Sequence, residues 1–265
     1  MEESGGRLKM LNSSAYAITG MGYLGRPLAE RLFESGDNVV ALKRLLTSDD
    51  VNLPVELDIA DLNDADVFKA NFWQQNWVGK TVWFWLIPPS ALADYAEKVA
   101  QWGKLAKKLG AKHLIFASSI SVYGNADRMC DENSAVQPQS EAAKVISEAE
   151  QKLQVSGVEN IDILRLGGLY CGERHPLNSL LRKNHIAGAF QPVNVLHRSL
   201  AVNALAQAAI RPNGMRIRNI VEPSHPVKHD FYRAEAQKLG LPEADFDMSD
   251  TTGGKTVNTL FNDLI

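Results

Sequence analysis

The chain has 265 residues, of which 45% are hydrophobic and 22% charged, a composition typical of globular proteins. The net charge of −3 and the lack of a long basic run exclude the electrostatic footprint of a nucleic-acid-binding protein. No apolar stretch approaches the roughly 20 residues of a membrane span, so neither nucleic acid nor a membrane is an expected partner. Two cysteines favour a reducing, cytoplasmic setting, and the polar segment 1–14 is predicted to be a flexible leader.

The first element is a strand that runs into a glycine-rich turn. An apolar run from Ala15 ends at Thr19, glycines follow at Gly20, Gly22 and Gly25, and apolar residues then recur at helical spacing. In a strand–turn–helix unit these glycines turn the chain, leave room for a diphosphate and let the helix pack on the strand, in that order. The alternative is a turn that only packs a helix on a sheet. The predicted cofactor-binding residues of the turn are Gly20, Met21, Gly22, Tyr23, Leu24 and Gly25.

The second strand is predicted over 39–44, and its end meets the adenosine ribose in folds of this kind. Lys43 and Arg44 stand where an acidic residue would bind the ribose hydroxyls of NAD. Cations at this point suit the 2′-phosphate of NADP, so NADP is the predicted cofactor and NAD the alternative. The alternative is that Lys43 and Arg44 are both solvated surface charges. A third strand over 55–59 carries Asp58, which is predicted to accept a hydrogen bond from adenine or to be a turn residue.

The fourth strand, predicted over 81–87, is apolar after its first residue, as in a central strand covered on both faces. Trp83 and Trp85 are predicted core residues. Leu86 and Pro88, where this strand ends, are predicted to lie near the middle of a dinucleotide. Strands that alternate with helices at this spacing predict an α/β fold, a Rossmann-like doubly wound parallel sheet.

A fifth strand over 113–119 ends in serines. Ligands of such sheets bind beyond the carboxyl ends of the strands. Ser118, Ser119, Ser121 and Tyr123 are therefore expected where the reactive end of a cofactor would lie.

The later elements are a sixth strand over 161–166, a strand over 215–221 and a helix over 227–239. Two glycines, Lys255 and Thr256 lie in the tail, but they lack the spacing of a phosphate-binding P-loop.

Three motifs carry a resemblance to a known family: Thr19-Gly-Met-Gly-Tyr-Leu-Gly25, Ser118-Ser-Ile-Ser-Val-Tyr-Gly124 and Leu164-Arg-Leu-Gly-Gly-Leu-Tyr-Cys-Gly-Glu-Arg174. On these residues the chain resembles the NAD(P)-dependent epimerase/dehydratase family, the extended short-chain dehydrogenases/reductases, over most of its length. The resemblance implies a nucleotide-binding domain over 15–165 and mainly a substrate lobe over 166–265, with segments that return to the sheet. It also implies oxidoreductase or epimerase chemistry on a small hydroxylated or carbonyl compound, sugar derivatives included.

The resemblance assigns roles to individual residues. Ser119 matches the family residue that polarises the substrate oxygen, and a capping hydroxyl is its alternative. Tyr123 is the nearest candidate for proton transfer, and a packing or substrate-lining aromatic is its alternative. Lys144 is expected to bond the nicotinamide ribose, with Ser118 and Gly167 beside the cofactor.

Two features depart from the family pattern. The glycine spacing is T-G-x-G-x-x-G instead of T-G-x-x-G-x-x-G, which resembles an atypical branch. Ser140 stands where the family has the tyrosine of its Tyr-x-x-x-Lys motif, four residues before Lys144. Because a serine hydroxyl is far less acidic than a phenol, another group would have to move the proton. An NADP(H) sensor that has lost its chemistry is therefore the alternative function.

The predicted substrate-binding residues are Ser121, Arg174 and His197, and no metal site is predicted. Arg174 can clamp an anionic small-molecule substrate or form a surface salt bridge. His197 precedes a helix and has the pattern of a cleft residue, with a structural role as the alternative. A homodimer through the helices predicted over 91–109 and 139–154 is expected by analogy.

Overall fold

The computed structural model describes residues 14–172 and 174–264, so the leader predicted over 1–14 lies, apart from Ser14, outside the described residues. The strands in chain order are β1 (Ala15–Thr19), β2 (Asn38–Lys43), β3 (Glu56–Ile59), β4 (Val82–Trp85), β5 (His113–Ser119), β6 (Met129–Cys130), β7 (Asn160–Leu166), β8 (Gly168–Tyr170), β9 (Val195–His197), β10 (Met215–Ile220) and β11 (Thr256–Val257). The helices are α1 (Gly25–Glu34), α2 (Phe72–Asn76), α3 (Tyr95–Lys108), α4 (Glu141–Gln154), α5 (Leu177–Leu180), α6 (Arg198–Ala209) and α7 (Lys228–Leu239).

Seven parallel strands form the central sheet, in the order β10-β7-β5-β4-β1-β2-β3. Ile18 in β1 aligns with Ala41 of β2 on one side and with Phe84 of β4 on the other. The strand order reverses between β1 and β4, which places the switch point of the sheet at their carboxyl ends. The predicted doubly wound parallel sheet is therefore confirmed. Two short pairs, β6 with β11 and β8 with β9, lie outside it.

A tryptophan-rich core covers one face of the sheet. Trp83 and Trp85 are two residues apart on β4, so they point to the same face, and both are fully buried as predicted. Trp102 of α3 packs at 5.4 Å from the Trp85 ring, and its indole nitrogen donates to the Thr19 hydroxyl at 2.9 Å. This bond anchors α3 to the end of β1, next to the glycine turn.

Helices α1 and α6 cover the opposite face. Leu28 and Leu32 of α1 pack in one cluster with Ala201 and Leu205 of α6, and all four side chains are buried. This packing fixes the direction in which α1 leaves the glycine turn. None of the helices in the described part of the chain has the length and apolarity needed to cross a membrane.

Helix α3 begins later than the sequence pattern predicts. The prediction placed its start at residue 91, whereas Pro89–Ala91 form a separate 3-10 turn and α3 begins at Tyr95. Asp94 adopts a left-handed conformation with φ +48°, which interrupts the helical path between the two.

A buried ion pair joins the amino ends of the strands, at the edge of the sheet opposite to the switch point. Asp162 of β7 accepts two hydrogen bonds from the Arg216 guanidinium of β10, both at 2.6 Å, and one from His113 Nε2 of β5 at 2.7 Å. Asp162 is 0% and Arg216 6% exposed. Removing one partner would leave an uncompensated charge in the interior.

We therefore predict that Asp162→Asn lowers the free energy of unfolding by about 3 kcal/mol, because the buried Arg216 would lose the carboxylate that accepts two of its hydrogen bonds and keep only the Asp263 carboxylate at 3.6 Å. Asp66→Asn is the control, since Asp66 pairs with Lys69 on the exposed surface and its loss should leave the free energy of unfolding nearly unchanged. Urea denaturation of both variants measures the difference. Equal effects would contradict the structural role given to the buried pair.

Candidate functional site

The glycine turn between β1 and α1 has the geometry that the sequence predicts. Gly20 has φ +109°, which favours glycine, and a Cβ on Gly25 would stand 2.0 Å from the Gly20 carbonyl oxygen. A Cβ on Gly22, by contrast, would meet no atom within 4 Å. Two glycines are thus required by the fold, while the space at Gly22 is left open. The N-cap residue Leu24 offers no side-chain hydrogen bond to the first turn of α1. In that turn the Arg26 N–H donates to the Gly22 carbonyl oxygen at 3.1 Å and Pro27 has no N–H, so the positive end of the helix dipole is what this turn offers to an anion.

A cavity of about 1050 Å³ opens above this turn, at the switch point of the sheet. Its size is that of a site for a large ligand. The predicted cofactor residues that line it are Gly20, Met21, Gly22, Tyr23, Leu24, Lys43, Arg44, Leu86 and Pro88. The cavity thus follows the carboxyl ends of β1, β2 and β4, and its residues fit the diphosphate and the adenosine half of a dinucleotide.

The two cations at the end of β2 differ in their surroundings. Lys43 Nζ donates to the Asp50 carboxylate and, at 3.0 Å, to the Thr47 hydroxyl. Arg44 is exposed at the cavity wall and has no ion-pair partner among the described residues. Burial acts to raise the pKa of Asp50, but the hydrogen bonds from Lys43 and Thr47 lower it to about 2. Lys43 is therefore neutralised within the protein, and Arg44 is the uncompensated cation.

Asp58 does not line the cavity. Its carboxylate accepts hydrogen bonds from the Trp77 indole at 2.7 Å and from the Asn76 amide at 2.8 Å. The physical reason is that a buried indole N–H needs an acceptor, and Asp58 at the end of β3 provides it. Asp61 and Leu62, a few residues further on, line the cavity instead.

Arginines lie over the side chain of Tyr23, a residue of the glycine turn. The Arg174 guanidinium lies 5.4 Å from the centre of the Tyr23 ring, and that of Arg198 lies 5.1 Å from it. Arg174 and Arg182 both line the cavity. The structure therefore brings Arg174, a predicted substrate residue, to the glycine turn itself.

Ser118 and Tyr123 belong to a buried polar network instead of the cavity wall. The Ser118 hydroxyl donates to Glu150 of α4, whose carboxylate also accepts two bonds from Arg165 at 2.7 and 3.0 Å. Arg165 donates to the Tyr123 hydroxyl, which donates in turn to the Asn219 side chain, both at 2.9 Å.

Tyr123 is 0% exposed, whereas the sequence placed it at the mouth of the cleft. Burial raises the pKa of its phenol, although the Arg165 charge opposes the shift. Proton transfer near neutral pH would need the pKa to be lowered. The side chain thus has the surroundings of a structural residue.

Ser119 and Ser121 lie at and just beyond the carboxyl end of β5, and both are half-buried, but neither lines the cavity. Ser119 Oγ accepts a hydrogen bond from the Ser121 backbone N–H at 3.1 Å and caps the 3-10 turn Ile120–Tyr123. The capping role that was the alternative for Ser119 is present. Because Oγ accepts this bond, its own hydrogen can still be donated to a ligand.

Ser140 and Lys144 lie on the first turns of α4. Ser140 is the N-cap, and its hydroxyl accepts from the Ala143 backbone N–H at 3.2 Å. Lys144 Nζ bonds Glu141 at 2.6 Å, with about half of its side chain exposed. The spacing that matched the family motif thus falls on a helix cap and on an exposed ion pair, and neither residue lines the cavity.

The space beside Gly167 is filled by the protein itself. A Cβ at Gly167 would lie 3.0 Å from the Asn194 carbonyl oxygen, so this glycine lets β9 approach β7. His197 is the N-cap of α6, and its Nδ1 accepts from the Ser199 backbone N–H at 3.3 Å. Both residues therefore have structural contacts, and neither lines the cavity.

Several lining residues were missed by the sequence analysis. Those on and near α5 are His175, Pro176, Asn178, Ser179 and Arg182. No strand or glycine motif marks this short helix, and the sequence offers no local signal for its position. Asp61 and Leu62 could have been found, because they follow β3 and the carboxyl ends of parallel strands share one edge.

Comparisons with known proteins agree with this architecture. No family model matches the sequence. Protein YeeZ of Escherichia coli K12 is 31% identical over 259 residues, covering 91% of this chain and 90% of that protein. The structure of MoeE5 in complex with UDP-glucose and NAD is 21% identical and covers 93% and 90% of the two chains, with a TM-score of 0.76. UDP-glucuronic acid 4-epimerase from Bacillus cereus in complex with NAD is 15% identical and covers 92% and 89%, with a TM-score of 0.75.

The glycine turn generates a paired prediction. Gly22→Ala should fold with an unchanged melting temperature, because its methyl group enters open space, but it should weaken the binding of a reduced nicotinamide dinucleotide by about tenfold or more by blocking the diphosphate. Gly25→Ala should lower the melting temperature, because its methyl group would collide with the Gly20 carbonyl. Thermal unfolding and fluorescence titration test both. If Gly22→Ala bound the dinucleotide as tightly as the wild type does, the prediction that the diphosphate binds at this turn would be contradicted.

Proposed function

Because this chain belongs to the same family as protein YeeZ and has the fold of NAD-dependent epimerase/dehydratases, we propose that it binds an NAD-type dinucleotide and acts as an epimerase/dehydratase-like oxidoreductase. The observation that carries the proposal is the open space at Gly22, on the floor of a cavity of about 1050 Å³ at the switch point of the sheet. The nicotinamide of a bound cofactor would supply the hydride acceptor or donor, and this chain would supply binding and orientation.

The substrate we propose is a small hydroxylated or carbonyl compound, with sugar derivatives as the favoured class. The UDP-glucose held by MoeE5 and the activity named for the Bacillus cereus epimerase support this choice. Ser119 is the proposed partner of the substrate oxygen, because its hydroxyl hydrogen is available at the end of β5. Ser121, on the turn that Ser119 caps, is proposed to contact the same substrate.

Residues across the glycine turn would hold the anionic part of the ligand. Arg174 and Arg182 line the cavity opposite to the helix N-terminus, and a guanidinium can bind a diphosphate through paired hydrogen bonds. We therefore extend the role predicted for Arg174 from the substrate to the cofactor. Tyr123 is assigned a positioning role, since its hydroxyl holds the turn after β5 to Asn219.

NADP is the cofactor that we favour within this proposal. Arg44 carries the preference, because it lines the cavity as an uncompensated cation at the end of β2. Lys43 contributes less, since Asp50 already neutralises it.

A second candidate function follows from α4. Ser140 caps this helix and Lys144 faces Glu141 at the surface, so the family's proton-transfer pair has no equivalent there. A protein that binds NADP(H) without turnover and reports on it to a partner would need only the nucleotide half of the site. A measurement of substrate turnover distinguishes the enzyme from the sensor.

We also propose that the protein works in the cytoplasm as a homodimer formed through α3 and α4. These helices pack side by side, and Lys152 of α4 bonds Glu97 of α3 at 2.6 Å, so together they offer one continuous outer surface. Sedimentation equilibrium of the full chain tests the proposal, and a monomer at all concentrations would contradict it.

The cofactor preference gives a direct prediction. Arg44→Ala should weaken NADPH binding by about tenfold while it changes NADH binding by less than about twofold, because only NADPH carries the 2′-phosphate. Fluorescence titration of the reduced dinucleotides measures both. Equal weakening of the two, or of neither, would contradict a role for Arg44 in recognising the 2′-phosphate.

The enzyme function gives a separate prediction. With a panel of sugar nucleotides and carbonyl compounds, the wild type should convert at least one compound, and Ser119→Ala should reduce that rate by about a hundredfold. Nicotinamide absorbance follows net oxidation or reduction, and chromatography of substrate and product follows epimerisation or dehydration, in which the hydride returns to the substrate. Ser35→Ala is the matched control, because Ser35 lies on the surface at the end of α1. Tight NADPH binding with no turnover of any compound would favour the sensor.

A further inference from the structure

We propose that Asp50 acts as an internal substitute for the 2′-phosphate of NADP and thereby limits the preference of this site for NADP over NAD. The inference rests on the proposed dinucleotide binding. It concerns a residue seven positions beyond β2, which no pattern in the sequence marks as part of the site.

The Asp50 carboxylate lies in a complete set of anion-binding donors. One oxygen accepts from Lys43 Nζ, from the Thr47 backbone N–H at 2.7 Å and from the Thr47 hydroxyl at 2.8 Å. The other oxygen accepts from the Arg26 guanidinium of α1. The side chain of Asp50 is 1% exposed. Two cations, a hydroxyl and a backbone N–H are the donors that phosphate groups bind in proteins.

This donor set lies where an adenosine ribose is expected. Lys43 is the last residue of β2, and Lys43, Arg44 and Thr47 all line the cavity. Arg26 comes from the first turn of α1, beside the glycine turn, and its guanidinium also donates to the Asp49 carbonyl oxygen at 3.0 Å. The loop that carries Asp50 is therefore closed onto both elements that would contact the nucleotide.

The charges explain why Asp50 would restrain NADP binding. A phosphate group carries about −1.5 to −2 charges near neutral pH. Asp50 stays ionised under such conditions, because its hydrogen bonds from Lys43 and Thr47 outweigh the effect of burial and lower its pKa to about 2. Asp50 itself does not line the cavity, but Lys43 does, so a 2′-phosphate at Lys43 would lie near a buried carboxylate that repels it and beside a Lys43 charge that is already compensated. Arg44 would be left to bind the phosphate with little help.

Asp50→Asn tests the proposal, because the amide keeps the size of the side chain and removes its charge. We expect NADPH affinity to rise by about tenfold relative to NADH affinity, since Lys43, which lines the cavity, is released to the 2′-phosphate. Asp49→Asn is the matched control, because it removes the neighbouring, exposed carboxylate and should leave the NADPH/NADH ratio unchanged. Titration of both reduced dinucleotides at one fixed ionic strength gives the ratios.

Two further variants secure the result. Adding Lys43→Gln to Asp50→Asn should abolish the gain in NADPH affinity, because the released ammonium is what the phosphate binds. Asp50→Ser replaces Asp50→Asn if the latter does not fold, since the serine hydroxyl can still accept from the Thr47 N–H. The same NADPH/NADH ratio in the Asp50 and Asp49 variants overturns the inference while dinucleotide binding stands. Failure of every variant and of the wild type to bind either dinucleotide overturns both.

Discussion

The structure depends on the close approach of backbone to backbone where β1 passes into α1. A Cβ on Gly25 would stand 2.0 Å from the Gly20 carbonyl oxygen, so the helix can begin this near to the strand only without a side chain. Both Gly20 and Met21 donate their N–H groups to the Leu42 carbonyl of β2, which ties the turn to the next strand. Once the turn is fixed, the first turn of α1 faces the crevice between β1 and β4. The cavity, its arginine wall and the cation pair at the end of β2 are all arranged around that crevice.

The parts of the fold that the sequence predicts are those encoded locally. The strands over 113–119 and 161–166 were predicted within one residue of β5 and β7, because continuous apolar runs are typical of buried parallel strands. The glycine spacing likewise predicts the first turn, since Gly20 and Gly25 each answer a local steric demand. Helix α3 was predicted too long at its start, because the left-handed Asp94 leaves no signal in the hydrophobic pattern.

The functional residues were harder to predict, because their surroundings come from distant parts of the chain. Ser118 lies at the carboxyl end of β5 and Tyr123 in the turn that follows it, yet Glu150 and Asn219 hold their hydroxyls inside the protein. No spacing rule relates residues so far apart in sequence. Lys144 illustrates the opposite case, in which a residue matched by spacing alone lies half-exposed on a helix and pairs with Glu141.

The tryptophan core gives the molecule an optical property. All five tryptophans are buried on one face of the sheet, and the Trp102 indole is bonded to Thr19, the residue immediately before the glycine turn. A reduced nicotinamide absorbs in the range in which indoles emit. A dinucleotide held above that turn would therefore quench the intrinsic emission by energy transfer, and the unlabelled protein would report its own occupancy.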